Sequence, residues 1–176
     1  MATSTQFRRC LIVILMCLSY SQTLAQNEIA RERSSLKGIQ SMGFTVNIES
    51  NRSLDERQNF DISTLKSTGT KLLKNAGIDV IADKEVQSSS DIPFLYLHIN
   101  SMDAGQGLVP FALTLYFYQP VELVLNRNQT TSSITWESGS VGIVSYDQMG
   151  LIPEAAKGII QEFITDYKQI NDSGDL

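Results

Sequence analysis

Phe111-Ala-Leu-Thr-Leu-Tyr-Phe-Tyr-Gln-Pro-Val-Glu-Leu-Val-Leu125 is the stretch that decides the fold of this chain. Its odd positions, Phe111, Leu113, Leu115, Phe117, Val121, Leu123 and Leu125, are apolar, with Gln119 the single interruption. Its even positions include Thr114, Tyr116, Tyr118 and Glu122. Strand side chains alternate between the two faces of a sheet, so this period predicts a long strand with one buried face. Pro120 has no N–H for a ladder and marks an edge, a bulge or a bend.

The neighbouring segments extend the pattern. Pro93 opens a strand in which Leu95, Leu97 and Ile99 share one face and Phe94, Tyr96 and His98 the other. Asp103–Gly107 reads as the turn between it and the long strand. Asn126–Gln129 reads as the next turn, followed by a strand over about Thr131–Ser145 holding Ile134, Trp136, Val141 and Ile143. Gly139 and Gly142 leave room there for a bulge. Three consecutive strands with short turns predict an antiparallel meander.

Earlier in the chain, Gly43–Ser50 alternates, with Phe44, Val46 and Ile48 on one face. Asn51–Asn59 reads as a charged loop. Phe60, Ile62, Leu65, Leu72, Leu73 and Ala76 form a helical stripe, so a helix is expected over about Asp61–Ala76. Asp61 caps its start and Gly77 its end. Gly69 lies on the apolar side, at a cost of about 1 kcal/mol against alanine, and implies close approach to the sheet. A short strand, Ile78–Ala82, and a polar loop, Asp83–Asp91, follow. The last helix runs from about Leu151 to Ile170, with Pro153 in its first turn, where a missing N–H does no harm. The order β-α-β-β-β-β-α predicts an α+β two-layer domain over 41–170. Its sheet is expected to have four to five mostly antiparallel strands, with two helices packed on one face. The other face is left without a helix, and 171–176 reads as a disordered tail.

The first 25 residues read as a secretory signal: Arg8 and Arg9, an apolar run Leu11–Leu18, then Thr23-Leu24-Ala25 before the cut. The apolar run is too short to span a bilayer, which takes roughly 20 residues. Both cysteines, Cys10 and Cys17, lie inside the signal. Cleavage leaves 12 basic residues of the 14 and all 19 acidic ones, a net charge of −7. The expected product is exported, periplasmic or extracellular, without a disulfide and without a membrane span. Its acidity argues against a nucleic-acid partner. Residues 26–40 read as a flexible leader.

Several segments together resemble a group of uncharacterised exported bacterial proteins. These are Leu72-Leu73-Lys74-Asn75-Ala76-Gly77-Ile78-Asp79-Val80, Pro93-Phe94-Leu95-Tyr96-Leu97, Gln119-Pro120-Val121-Glu122-Leu123 and Thr135-Trp136-Glu137-Ser138-Gly139. The resemblance covers most of the chain and implies export and a single α+β domain. It carries no active-site signature.

The residues themselves offer little chemistry. His98 is the only histidine; a general base there has no paired nucleophile in the sequence. No G-x-S-x-G elbow surrounds a serine. One His and no mature Cys leave no set for a transition metal, and no D-x-D-x-D-G loop is present for calcium. A strand rather than a helix follows Gly105-Gln-Gly107, so that turn is no dinucleotide loop. No cofactor is expected. Three sequons, at Asn51, Asn128 and Asn171, matter only in a host that glycosylates exported proteins.

What remains is aromatic. A simple meander sets Phe94, Tyr96, His98, Tyr116 and Tyr118 on the face away from the helices. An even register across the next turn adds Ile134 and Trp136; one slip sends Trp136 into the core. Such a patch suits a protein partner or a second copy. The sequence therefore predicts an exported, non-catalytic binding or assembly module of the cell envelope, acting through the open sheet face. Its rivals are an exported hydrolase with a site near His98 and a carrier of a small apolar ligand.

Overall fold

The structure, a computed structural model, describes residues 28–55 and 61–172. Residues 1–25, expected to be a signal, residues 56–59 of the expected charged loop, Phe60 of the expected helical stripe and residues 173–176 of the expected tail lie outside them. The elements are α1 (28–34), β1 (Ser41–Ser50), α2 (Arg52–Asp55), α3 (Ile62–Asn75), β2 (Asp79–Ile81), α4 (Asp83–Ser88), β3 (Phe94–Ser101), β4 (Leu108–Leu123), β5 (Asn126–Ser145) and α5 (Leu151–Asn171). A short 3-10 turn, Tyr146–Gln148, joins β5 to α5.

The fold is mixed α+β with one five-stranded sheet in the order β2-β1-β3-β4-β5. The meander β3-β4-β5 is antiparallel, but β1 lies parallel to both β2 and β3. The sheet is therefore mixed, which corrects the expectation of a mostly antiparallel one. The helix α3 carries the chain back along β1, and a strand returning after such a crossover pairs in parallel. The helix count and order also differ from β-α-β-β-β-β-α, because α1, α2 and α4 join the two long helices. Of these, α4 replaces the expected loop. The turn after β4 falls at Val124–Leu125, earlier than expected, and Asn126–Gln129 begins β5 with a register irregularity.

The helix starts follow their caps. Asp61 accepts the Ser63 N–H at 2.9 Å and the hydroxyls of Ser63 and Thr64. Those bonds to the charged form lower its pKa from 3.8 to about 2. At the other end of α3, Gly77 takes φ +84°, the left-handed conformation that stops a helix at little cost.

The core lies between α3 and α5 and one sheet face. That inner face presents Phe44, Leu95, Leu97, Ile99, Leu113, Leu115 and Phe117, all buried, to Leu65 and Leu73 of α3 and Ile160 and Phe163 of α5. Gly69 does bring α3 close: a Cβ there would stand 2.3 Å from Cε1 of Phe44.

Residues 28–40 also differ from the expected flexible leader. Leu36 is fully buried. Ser35 Oγ donates to the Thr135 carbonyl at 3.1 Å, and Asn171 Nδ2 donates to the Leu36 carbonyl at 3.0 Å. The Tyr167 hydroxyl donates to the Ile39 carbonyl at 2.8 Å. The segment straps the C-terminal end of α5 to β5 through partners far away in sequence, which local hydropathy cannot register.

Candidate functional site

The outer sheet face is assembled by register. Phe94 pairs with Tyr118, Tyr96 with Tyr116 and His98 with Thr114. Phe94 and Tyr118 stack at 4.8 Å, Tyr96 and Tyr116 at 6.4 Å, and Tyr96 and His98 at 5.9 Å. Tyr116 and Tyr118 meet at 6.1 Å with tilted planes. Phe94, Tyr96, His98, Tyr116 and Tyr118, read from the sequence as sharing one face, do form one patch. All five are half-buried. Burial, then the neighbouring phenols of Tyr116 and Tyr96, pushes the Tyr118 hydroxyl above its usual 10.0.

Trp136 is the exception and corrects the expectation. The ladder of β4 and β5 shifts between Phe117 and Tyr118: Phe117 faces Trp136, whereas Tyr118 faces Ile134. Thr135 is the extra residue of this bulge. It puts two even-numbered residues on opposite faces. Ile134 stays outside at 40% exposure, and Trp136 turns into the core at 2%. There its ring meets Phe163 edge-on at 5.1 Å, and Nε1 donates to Asp166 Oδ2 at 3.1 Å. The other carboxylate oxygen of buried Asp166 lies 2.8 Å from Arg33 Nε, which ties α1 to the same node. Trp136 thus holds the strap and α5 to the sheet.

The outer face is not wholly bare. Val86 of α4 lies over Gly43, where an added Cβ would stand 2.5 Å from Val86 Cγ2 and 3.1 Å from Phe94 Cβ. So α4 covers the corner beside Phe94, against the expectation of a face with no helix. At the opposite corner the face is apolar and open. Pro110 pairs with Ile143 and Ala112 with Val141; Val141 is 82% exposed, Ile143 67% and Leu108 44%. The sequence pattern places Val141 and Ile143 in a strand and starts the long strand only at about Phe111, past Leu108; together these three are the most exposed apolar part of the face. The signal was present as the aliphatic alternation Val141, Ile143 on a strand whose inner partners are Ser138 and Ser140.

His98 sits on this face with Nε2 buried and 3.5 Å from Glu49 Oε1. No hydroxyl is hydrogen-bonded to it among the described residues. No cluster of three or more potential metal ligands occurs among them either, and no described helix is long and apolar enough to cross a membrane.

A separate cavity of about 190 Å³ opens between the N-terminal ends of α3 and α5, over Ile48 and Ile99 of the sheet.

No family model and no curated protein matches this chain. Among solved structures, the PelC dodecamer from Paraburkholderia phytofirmans is similar at 12% identity and a TM-score of 0.37, over 72% of this chain and 86% of that one. A point variant of that dodecamer gives 12% identity and a TM-score of 0.38, over 74% and 89%.

Proposed function

We propose that this protein is an exported, non-catalytic binding or assembly module of the cell envelope that acts through its outer sheet face. One observation carries the reading: the open corner of that face, where Val141, Ile143 and Leu108 stand in water beside the half-buried tyrosine ladder. A contiguous apolar surface of this kind is characteristic of a docking site, and tyrosines at its margin supply hydroxyls for a polar rim. The hydrolase reading draws no support from His98, which lies 3.5 Å from the Glu49 carboxylate and has no hydroxyl hydrogen-bonded to it among the described residues.

Protein recovered by affinity from the envelope of its own host tests both halves of the reading. The chain should begin at Gln26. A partner or a second copy cross-linked to wild type should be lost from the Val141→Asp/Ile143→Asp variant, whose substitutions lie on the solvent side. A chain retained full-length in the cytoplasm contradicts export, and undiminished cross-linking by the variant removes the outer face from consideration.

A further inference from the structure

The β4–β5 hairpin continues past the point where β3 begins. Phe94 is the first residue of β3 and pairs with Tyr118. From Gln119 onward, β4 has β5 as its sheet partner among the described residues. Five residue steps from Tyr118 to Leu123 make an arm of roughly 17 Å. Every residue from Glu122 to Ser132 is exposed. Turns usually take Gly, Asn, Asp or Pro, yet this tip is aliphatic: Leu123 is 37% exposed, Val124 82% and Leu125 101%. A two-stranded ribbon is marginal on its own, and an apolar tip held in water stabilises nothing within its own chain.

The other pole of the sheet holds a cavity. β3 ends at Ser101, beside the end of β1 and the starts of α3 and α5. Here lies the cavity of about 190 Å³, walled by Ile48, Leu65, Ile99 and Ile152 and rimmed by Asp61 and Lys157. The rim charges are already bonded within the chain, Asp61 to Ser63 and Thr64 and Lys157 to Glu154 at 2.6 Å. Thr64 and Thr68 complete the lining with Pro153, and the Thr64 hydroxyl donates to Asp61, so the wall between the rim charges is largely apolar. The charges complement the arm. Arg127, two residues beyond Leu125, suits the anionic Asp61, and Glu122 suits Lys157.

We infer that the Leu123–Leu125 tip of one copy seats in the cavity between α3 and α5 of the next, so that copies join head to tail. The two surfaces differ and lie at opposite poles. A contact of that type is heterologous and propagates into a ring or a filament. This contact goes beyond the outer-face reading and uses neither Val141 nor Ile143.

Size-exclusion chromatography with light scattering on purified protein tests it, using Leu125→Asp to spoil the tip and Thr68→Phe to fill the cavity mouth. Wild type should show a mass above the monomer that grows with concentration. Each variant should weaken assembly by roughly tenfold or more while keeping its circular dichroism and melting curve. Mixed together, the two should give a one-to-one pair, because one intact tip and one intact cavity remain. If Thr68→Phe disturbs the fold, Lys157→Glu at the rim serves in its place. Val141→Asp should leave this assembly unchanged, which separates failure here from failure of the outer face. The inference is overturned if wild type stays monomeric at its highest soluble concentration, if Leu125→Asp assembles like wild type, or if the mixture does not pair. Native mass spectrometry that finds a small apolar molecule in the cavity of a monomer overturns it as well.

Discussion

The two faces of the sheet use aromatic residues in opposite ways. On the inner face Phe117, Trp136 and Phe163 meet at tilted and edge-on angles, fully enclosed, with the indole N–H fixed to Asp166. On the outer face Phe94, Tyr96, His98, Tyr116 and Tyr118 stand as a row of rings, stacked at three contacts and tilted between Tyr116 and Tyr118, each still reached by water. Rings that touch on all sides lock one arrangement, because every void forfeits contacts. Rings that touch in a row stabilise the strand pairs and leave their edges available to something else. The difference assigns stability mainly to one face and leaves the other with exposed ring edges, where recognition is proposed, and it can be broken by substitution.

The largest effect belongs to the inner face. Phe163→Ala should cost about 3–5 kcal/mol, since it opens a cavity between Phe117 and Trp136 with little room to collapse. Chemical denaturation with an unchanged slope would establish it. A cost below that of any outer-face truncation would dissolve the contrast. Gly69→Ala comes next. Alanine improves the helix by about 1 kcal/mol, but its Cβ would lie 2.3 Å from the fully buried Phe44 ring. Overpacking of that kind costs about 1–3 kcal/mol, so a net loss of stability is expected in a thermal melt. A gain would mean that α3 can lift from the sheet.

How far this contrast was legible depends on the residue. Leu95, Leu97 and Ile99 against Phe94, Tyr96 and His98 declared their faces, because alternation follows directly from pleat geometry. The stripes of α3 and α5 were legible for the same reason at a period of 3.6. The bulge at Thr135 was not, since nothing local distinguishes it, and with it went the side taken by Trp136. The place of β1 between β2 and β3 was also hidden, because alternation describes a strand and says nothing about its neighbours. The helix α4 is short and polar, anchored by Val86, and gave no stripe to read. The strap at Leu36 depends on groups about 100 residues or more away in sequence. The turn at Val124–Leu125 left one trace: three adjacent apolar residues, Leu123 to Leu125, cannot all lie on one face of a strand.

On the outer face, Tyr116→Ala removes a cross-strand stack with Tyr96 and a tilted contact with Tyr118. Pairs of this kind contribute roughly 0.2–1 kcal/mol each, so a loss of about 1 kcal/mol is expected. Denaturation of this variant beside Phe163→Ala measures the ratio between the faces directly. If the two losses are equal, the outer ladder belongs to the core in all but position.

The smallest effect is alkaline, and it compares one tyrosine from each side. Burial first, then the nearby Tyr116 and Tyr96, raises the pKa of Tyr118 above 10.0; burial first, then Asp172, raises that of Tyr167. In both cases the folded chain keeps a proton that the unfolded chain releases above pH 10.0. The native state then binds more protons, so stability falls as pH rises through that range and is unaffected well below it. Tyr118→Phe should flatten part of this decline and leave stability at neutral pH nearly unchanged. Tyr167→Phe should flatten part of it too, but it also loses the hydrogen bond to Ile39, so it should cost about 1 kcal/mol at neutral pH. Denaturation profiles and tyrosinate absorbance across the alkaline range separate the two. A neutral-pH loss in Tyr118→Phe as large as that in Tyr167→Phe would show that the Tyr118 hydroxyl is structural, and would take it off the list of groups free to meet a partner.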